Sequence, residues 1–128
     1  MKITALYAGL LALLFLVLSY RTIVYRRGRK VEIGDGGDRE LLRRMRVHAN
    51  FAEYVPFTVV LMGLAEALGL PGLGVHAIGL ALLVGRLAHA WGLSQTPHIL
   101  RLRVIGVAAT TLAMLAGAVA CLALALMH

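Results

Sequence analysis

The chain has 128 residues, of which 60% are hydrophobic and only 15% are charged. Soluble domains are nearer half apolar and a quarter charged, so this composition excludes an ordinary soluble domain and indicates one compact unit, residues 1–128, in lipid. The net charge of +7 could attract nucleic acid in a soluble protein, but in a membrane protein it reports topology. We therefore expect membrane lipid, and no nucleic acid, as a partner.

The first apolar segment, residues 3–25, predicts a membrane helix over about residues 3–27. Its length of about 35 Å is enough to cross a hydrocarbon layer ~30 Å thick. A cleaved signal peptide is the competing interpretation. The apolar stretch is long for that, no Ala-x-Ala site follows, and a basic cluster comes directly after it. We therefore expect a retained anchor.

The polar connection over residues 28–40 contains Gly34-Asp35-Gly36-Gly37. No strand precedes it and no Gly-Lys-Ser/Thr follows, so we interpret it as a flexible turn and not a phosphate loop. Asp38 is suited to cap a second helix, predicted over residues 39–69. Pro56 lies inside that helix, where membrane proteins tolerate a kink.

Two further apolar helices are predicted, over residues 73–94 and 102–127. The fourth helix carries small residues that let helix backbones approach closely in lipid, either within one chain or between subunits. Cys121, the only cysteine of the chain, lies in an apolar run of this helix, so no disulfide framework exists.

The basic residues predict the orientation of this bundle. Of the 13 Lys and Arg residues, all but Lys2 lie in or beside the first and third connections. Cytoplasmic loops carry such an excess, so the pattern predicts a four-helix membrane bundle with both termini away from the cytoplasm.

Polar side chains gather at the basic end of the predicted bundle. Arg46, Asn50 and Glu53 fall on one face of the second helix, and Arg86 and His89 share a face of the third. A collar of snorkelling cations that touches lipid headgroups accounts for many of the arginines. It does not account for the deeper Asn50 and Glu53, or for Arg86, so we expect paired groups lining a cavity.

Several arginines with a carboxylate, an amide and a phenol suit a small anionic ligand that also bears an amine. Guanidinium groups fork onto carboxylates, Glu53 can hold an ammonium, and Asn50 and Tyr54 can satisfy amide groups. The histidines lack the HxxxH spacing and an acidic partner, so no metal is expected.

The motif Arg46-x-x-x-Asn50-x-x-Glu53-Tyr54-x-Pro56 resembles the signature of the MAPEG family, the membrane-associated proteins in eicosanoid and glutathione metabolism. The resemblance extends to Arg26-Arg27, to Gly85-Arg86-Leu87-Ala88-His89 and to Arg103, and it is greatest to the bacterial branch. It implies an all-α integral membrane homotrimer in the bacterial inner membrane.

The resemblance also implies glutathione as co-substrate, bound between subunits, in a transferase or peroxidase that acts on lipophilic electrophiles or lipid hydroperoxides. Arg103 is expected to stabilise the thiolate, although Arg101 is the alternative because the preceding connection is longer than in relatives. The residues expected to bind glutathione are Arg46, Asn50, Glu53 and Tyr54 of one subunit, Arg26 of its neighbour, and Arg86 and His89.

One departure from the family pattern keeps other functions open. Members that make leukotrienes carry two tyrosines on the third helix, where this chain has His89 and Leu93. A non-catalytic membrane module that binds glutathione, another anionic metabolite or a partner protein is therefore the alternative. A small transporter is a weaker one, since the third and fourth helices offer little polarity at the far side beyond His76.

Overall fold

The computed structural model describes residues 1–95 and 97–127 and confirms the all-helical membrane fold. No strand occurs over these residues, and α2 contacts each of the other three helices. The four helices are α1 (Lys2–Gly28), α2 (Arg39–Ala67), α3 (Gly72–Ser94) and α4 (Leu100–Met127).

Three of these helices, α1, α3 and α4, are long and apolar enough to cross a membrane. The fourth, α2, has 29 residues but begins with an arginine-rich stretch. Large apolar side chains face outward on α1 and α4; Leu13 and Leu112 are each 63% exposed. Such side chains are stable against lipid and not against water, so the outer surface is that of an integral membrane protein.

The positions at which α2 begins and ends are each explained by a specific residue. At its start, the Asp38 carboxylate accepts hydrogen bonds from the backbone N–H groups of Glu40 (2.9 Å) and Leu41 (3.1 Å). The bond from Leu41 is the main reason that the pKa of this carboxyl lies below its ordinary value. At its other end, Gly69 takes a positive φ of 96°, a conformation that ends a helix, and α2 stops at Ala67, two residues before the predicted position.

The pair α3 and α4 packs closely through glycines. A Cβ on Gly106 would lie 2.5 Å from the carbonyl oxygen of Gly85 and 2.6 Å from the backbone nitrogen of His89. A Cβ on Gly92 would lie 2.8 Å from the backbone nitrogen of Arg103. The absence of side chains at these positions therefore brings the start of α4 against the end of α3.

The connection before α4 is also tied to α3. The backbone N–H of Ile99 donates to the carbonyl of Gly92 over 2.8 Å, and Ile99 then accepts from Arg103 over 3.2 Å. Because these bonds start the helical pattern early, α4 begins at Leu100, two residues before the predicted start.

At the opposite end, polar side chains join the start of α1 to α2 and α3. The Glu66 carboxylate accepts from the backbone N–H of Thr4 (2.8 Å) and from its hydroxyl (2.6 Å). The hydroxyl of Tyr7 lies 3.1 Å from Nδ1 of His76. Each of these polar groups thus has a partner within the bundle, which lowers the cost of placing it near hydrocarbon.

Candidate functional site

A cavity of about 330 Å³ opens where α2, α3 and α4 converge at the basic end of the bundle. We call it the basic cavity. Four arginines, two histidines and one asparagine line it, and no carboxylate does so among the described residues. Its lining residues are Arg39, Leu42, Arg43, Arg46, Asn50, His89, Leu93, His98 and Arg103.

A buried arginine lies behind the lining of this cavity, in contact with Asn50. Arg86 of α3 is only 1% exposed, and its Nη1 donates to Oδ1 of Asn50 over 2.7 Å. Its Nε and Nη2 have no hydrogen-bond partner in the part of the chain that the structure describes. Buried donors without partners are costly, so this guanidinium is suited to meet an acceptor supplied from outside the chain.

His89 lies one turn after Arg86 and is 3% exposed. Like Arg103, it lines the basic cavity. The close contact of its backbone with Gly106 explains why a residue of α3 and a residue of α4 share one cavity. The imidazole and the two guanidinium groups form a concentration of donors with positive charge, which favours an anion.

The two candidate arginines at the start of α4 are placed differently. Both arginines are exposed, but Arg103 lines the basic cavity and Arg101 is not among the described lining residues. Of the two, Arg103 is the one placed to reach a ligand in this cavity, and its contact with a bound ligand stays a prediction.

Three of the predicted residues lie outside the cavity of a single chain. Glu53 and Tyr54 are exposed on α2, and Tyr54 is 36% exposed. Arg26 donates from Nη1 to the carbonyl oxygen of Gly34 over 2.8 Å, and it lines a separate depression beside Lys30. The single chain thus brings together Arg46, Asn50, His89 and Arg103, with Arg86 behind them, and leaves these three at its surface.

Sequence reasoning missed the outer part of the cavity. It did not include Arg39, Arg43 or His98 in the predicted site, although all three line the cavity. A signal was present, because Arg39, Arg43 and Arg46 follow one another at helical spacings of four and three and so share the face of Asn50.

The described residues contain no group of three or more His, Cys, Asp or Glu side chains that could hold a metal ion. The chemistry of the cavity is that of cationic and neutral hydrogen-bond donors.

The fold and this cavity define a four-helix integral membrane protein with a cavity lined by cationic side chains at one end. The sequence model of the MAPEG family matches residues 4–123, and the chain therefore belongs to the MAPEG family, as its α2 motif predicted. The chain is also similar to the Inner membrane protein YecN of Escherichia coli, in two strains. The identity is 40% over 113 residues, which cover 88% of this chain and 85% of YecN.

Proposed function

We propose that this protein is a glutathione-dependent membrane transferase or peroxidase that acts on lipophilic electrophiles or lipid hydroperoxides. The observation that carries the proposal is the buried Arg86 guanidinium, whose Nε and Nη2 have no partner among the described residues and which lies behind Asn50 in a cavity that Arg46 and Arg103 also line. A buried cation with free donors is poorly stable alone and gains most from an anionic acceptor.

The donor set fits the chemistry of glutathione, which carries two carboxylates, an ammonium, two amides and a thiol. Guanidinium groups can bind its carboxylates, and the Asn50 side chain can bind an amide. The carboxylate of Glu53 is the natural partner for the ammonium, but it lies at the surface of the single chain.

We therefore propose that a homotrimer completes the site. A carboxylate exposed at membrane depth is costly, and a neighbouring subunit that covers Glu53 and Tyr54 would remove that cost. Arg26 of the neighbour is the cation that the family resemblance assigns to this interface. Its guanidinium is held by the carbonyl of Gly34 at the surface of α1, where another subunit can reach it.

Arg103 is proposed to stabilise the glutathione thiolate. A free thiol has a pKa of about 8.5 and is mostly protonated at neutral pH, and a nearby guanidinium lowers that pKa. The thiolate sulfur would attack an electrophilic carbon to form a C–S bond while the leaving group departs. With a hydroperoxide, the thiolate would attack the terminal oxygen, the O–O bond would break, and a second glutathione would complete the reduction to alcohol, disulfide and water.

Location follows from the distribution of charge. The concentration of Lys and Arg at the cavity end supports a cytoplasmic cavity and termini on the other side. The printed name of YecN supports the inner membrane. Glutathione would enter from the cytoplasm and the lipophilic substrate from the bilayer.

The test is a titration of the detergent-purified protein with glutathione, followed by calorimetry and by the ultraviolet absorbance of the thiolate. Wild type should bind glutathione and show thiolate absorbance at neutral pH. An Arg103→Ala variant should retain binding and lose most of that absorbance. Absence of glutathione binding to folded wild type would overturn the proposal.

The second candidate function is a non-catalytic membrane module that binds glutathione, another anionic metabolite or a partner protein. It is favoured by His89 and Leu93, both buried, at the positions where leukotriene-producing members carry tyrosines. This module would be stabilised against thermal unfolding by glutathione, yet it would form no conjugate with any of a panel of electrophiles. Measuring both properties on one preparation separates the two functions.

A further inference from the structure

We infer that the mouth of the basic cavity is a second anion subsite, formed by Arg39, Arg43 and His98, which takes a phosphate group carried by an anionic ligand. The inference rests on the proposed function in using the same cavity. It adds that one of the substrates, beyond glutathione, belongs to the class of phosphate-bearing compounds.

The residues of the mouth belong to the lining of the basic cavity, and one of its arginines is held in place by a contact outside α2. Arg39 and Arg43 extend the row of Arg46 and Asn50 along one face of α2. Arg43 is half-buried, and its Nη1 donates to the carbonyl oxygen of Gln95 over 3.4 Å. This contact joins α2 to the connection before α4, which carries His98.

The acidic residues near this end face other partners. The Asp38 carboxylate lies 3.3 Å from Nε of Arg29, and Glu40 lies 3.0 Å from Nε of Arg44. Asp35 accepts from the backbone N–H of Gly37 over 3.0 Å. None of the six Asp and Glu residues is among the described residues that line the basic cavity, so that described lining is cationic and contains no acidic side chain.

Glutathione does not supply enough negative charge to match this wall. As the thiolate it has two carboxylates, one thiolate and one ammonium. Under the proposed function, Arg46, Arg103 and Arg26 of the neighbouring subunit meet these three anionic groups. Arg39, Arg43 and His98 line the mouth and are outside the set assigned to glutathione. The like charges of Arg39 and Arg43 repel one another, and an anion placed between them would remove that repulsion.

A phosphate group is the ligand that suits Arg39, Arg43 and His98 at the mouth. Arginine forks match the oxygens of phosphate, and two guanidinium groups one helical turn apart can bind the same dianion. The mouth also lies where α2 leaves the apolar part of the bundle, the depth at which lipid phosphates lie. The phosphate could belong to a phospholipid-derived substrate or to a soluble one.

The test uses inorganic pyrophosphate as the probe, titrated into wild type in neutral detergent, with glutathione titrated separately. The variant Arg39→Gln combined with His98→Gln leaves the Arg43–Gln95 contact in place. We expect it to bind pyrophosphate at least about tenfold more weakly, the equivalent of one lost charge-assisted interaction, and to keep its glutathione affinity. Arg101→Gln, which removes an exposed arginine outside the cavity, should change neither affinity.

The source of the phosphate is tested in nanodiscs of phosphatidylcholine with and without phosphatidic acid. If phosphatidic acid weakens pyrophosphate binding in wild type but not in the mouth variant, the subsite takes a lipid phosphate. If it has no effect while pyrophosphate binds, the subsite takes a soluble phosphate. Both results support the inference.

Three results would overturn it: no pyrophosphate binding to wild type, equal weakening by the Arg101→Gln control, or loss of glutathione affinity in the mouth variant. In the last case the mouth cations serve glutathione itself. Pyrophosphate binding without glutathione binding would instead overturn the proposed function and leave the anion subsite standing.

Discussion

Nη1 of Arg86 donates to Oδ1 of Asn50 over 2.7 Å and so joins α3 to α2 at the wall of the basic cavity. The two residues differ in their access to water, because Arg86 is 1% exposed whereas Asn50 is partly exposed and lines the cavity. Removing one or the other therefore has unequal consequences.

Asn50→Leu should destabilise the protein by about 1–3 kcal/mol, because it leaves a buried guanidinium without its only described hydrogen-bond partner. Arg86→Met should cost less, since the Asn50 amide can turn to water in the cavity. Thermal unfolding of both variants in one detergent measures the difference. The opposite order of stabilities would mean that Arg86 has another partner in the assembled protein.

Arg103→Gln should raise the pKa of the bound glutathione thiol by about 1–3 pH units, because it removes the cation that favours the thiolate. The pH profile of conjugation should move upward accordingly. Arg101→Gln is the matched control, since Arg101 is exposed and outside the described lining of the cavity. If the two variants shift the pH profile equally, the lowered pKa of the thiol is not due to Arg103 alone.

Gly106→Ala should destabilise the bundle by about 1–3 kcal/mol, because the added methyl group would meet the backbone of Gly85 and His89 at 2.5–2.6 Å. The substitution should also weaken glutathione binding, because a displaced α4 would move Arg103 away from His89. Gly9→Ala is the control: no atom lies within 4 Å of its Cβ position, and alanine favours a helix. Unchanged stability of Gly106→Ala would show that α3 and α4 are less closely packed.

Acid should loosen the first turn of α2 through Asp38. The pKa of its carboxyl is lowered in the folded protein, first by the backbone N–H of Leu41 and also by Tyr25 and Arg29. A depressed pKa means that the stabilisation is complete above the unfolded value of about 3.9 and is lost as the pH falls through the lower folded value.

Hydrogen exchange at the backbone N–H groups of Glu40 and Leu41 measures this effect. Asp38→Asn should keep the cap, because an amide oxygen accepts the same bonds, and should lose the acid dependence. Asp38→Ala should exchange quickly at every pH. Acid dependence that persists in the Asn variant would assign it to another group.

The sequence by itself determined the membrane fold and the α2 motif. Long apolar segments permit only helices in lipid, because the backbone must satisfy its own hydrogen bonds there. Helical spacing then puts Arg46 and Asn50 on one face whatever the rest of the chain does. The cap at Asp38 is equally local, since its bonds reach only two and three residues along the chain.

Only the tertiary structure decided which side chains share a cavity. The close contacts at Gly85, Gly92 and Gly106 fix the position of α4 along the axis of α3. That position places Arg103, and not Arg101, among the described lining residues of the cavity. How separate helices meet also decides which Arg86 nitrogens lack a described hydrogen-bond partner. It decides in the same way that Arg39 and His98 line the cavity. Such contacts join residues far apart in the chain, so no local pattern contains them.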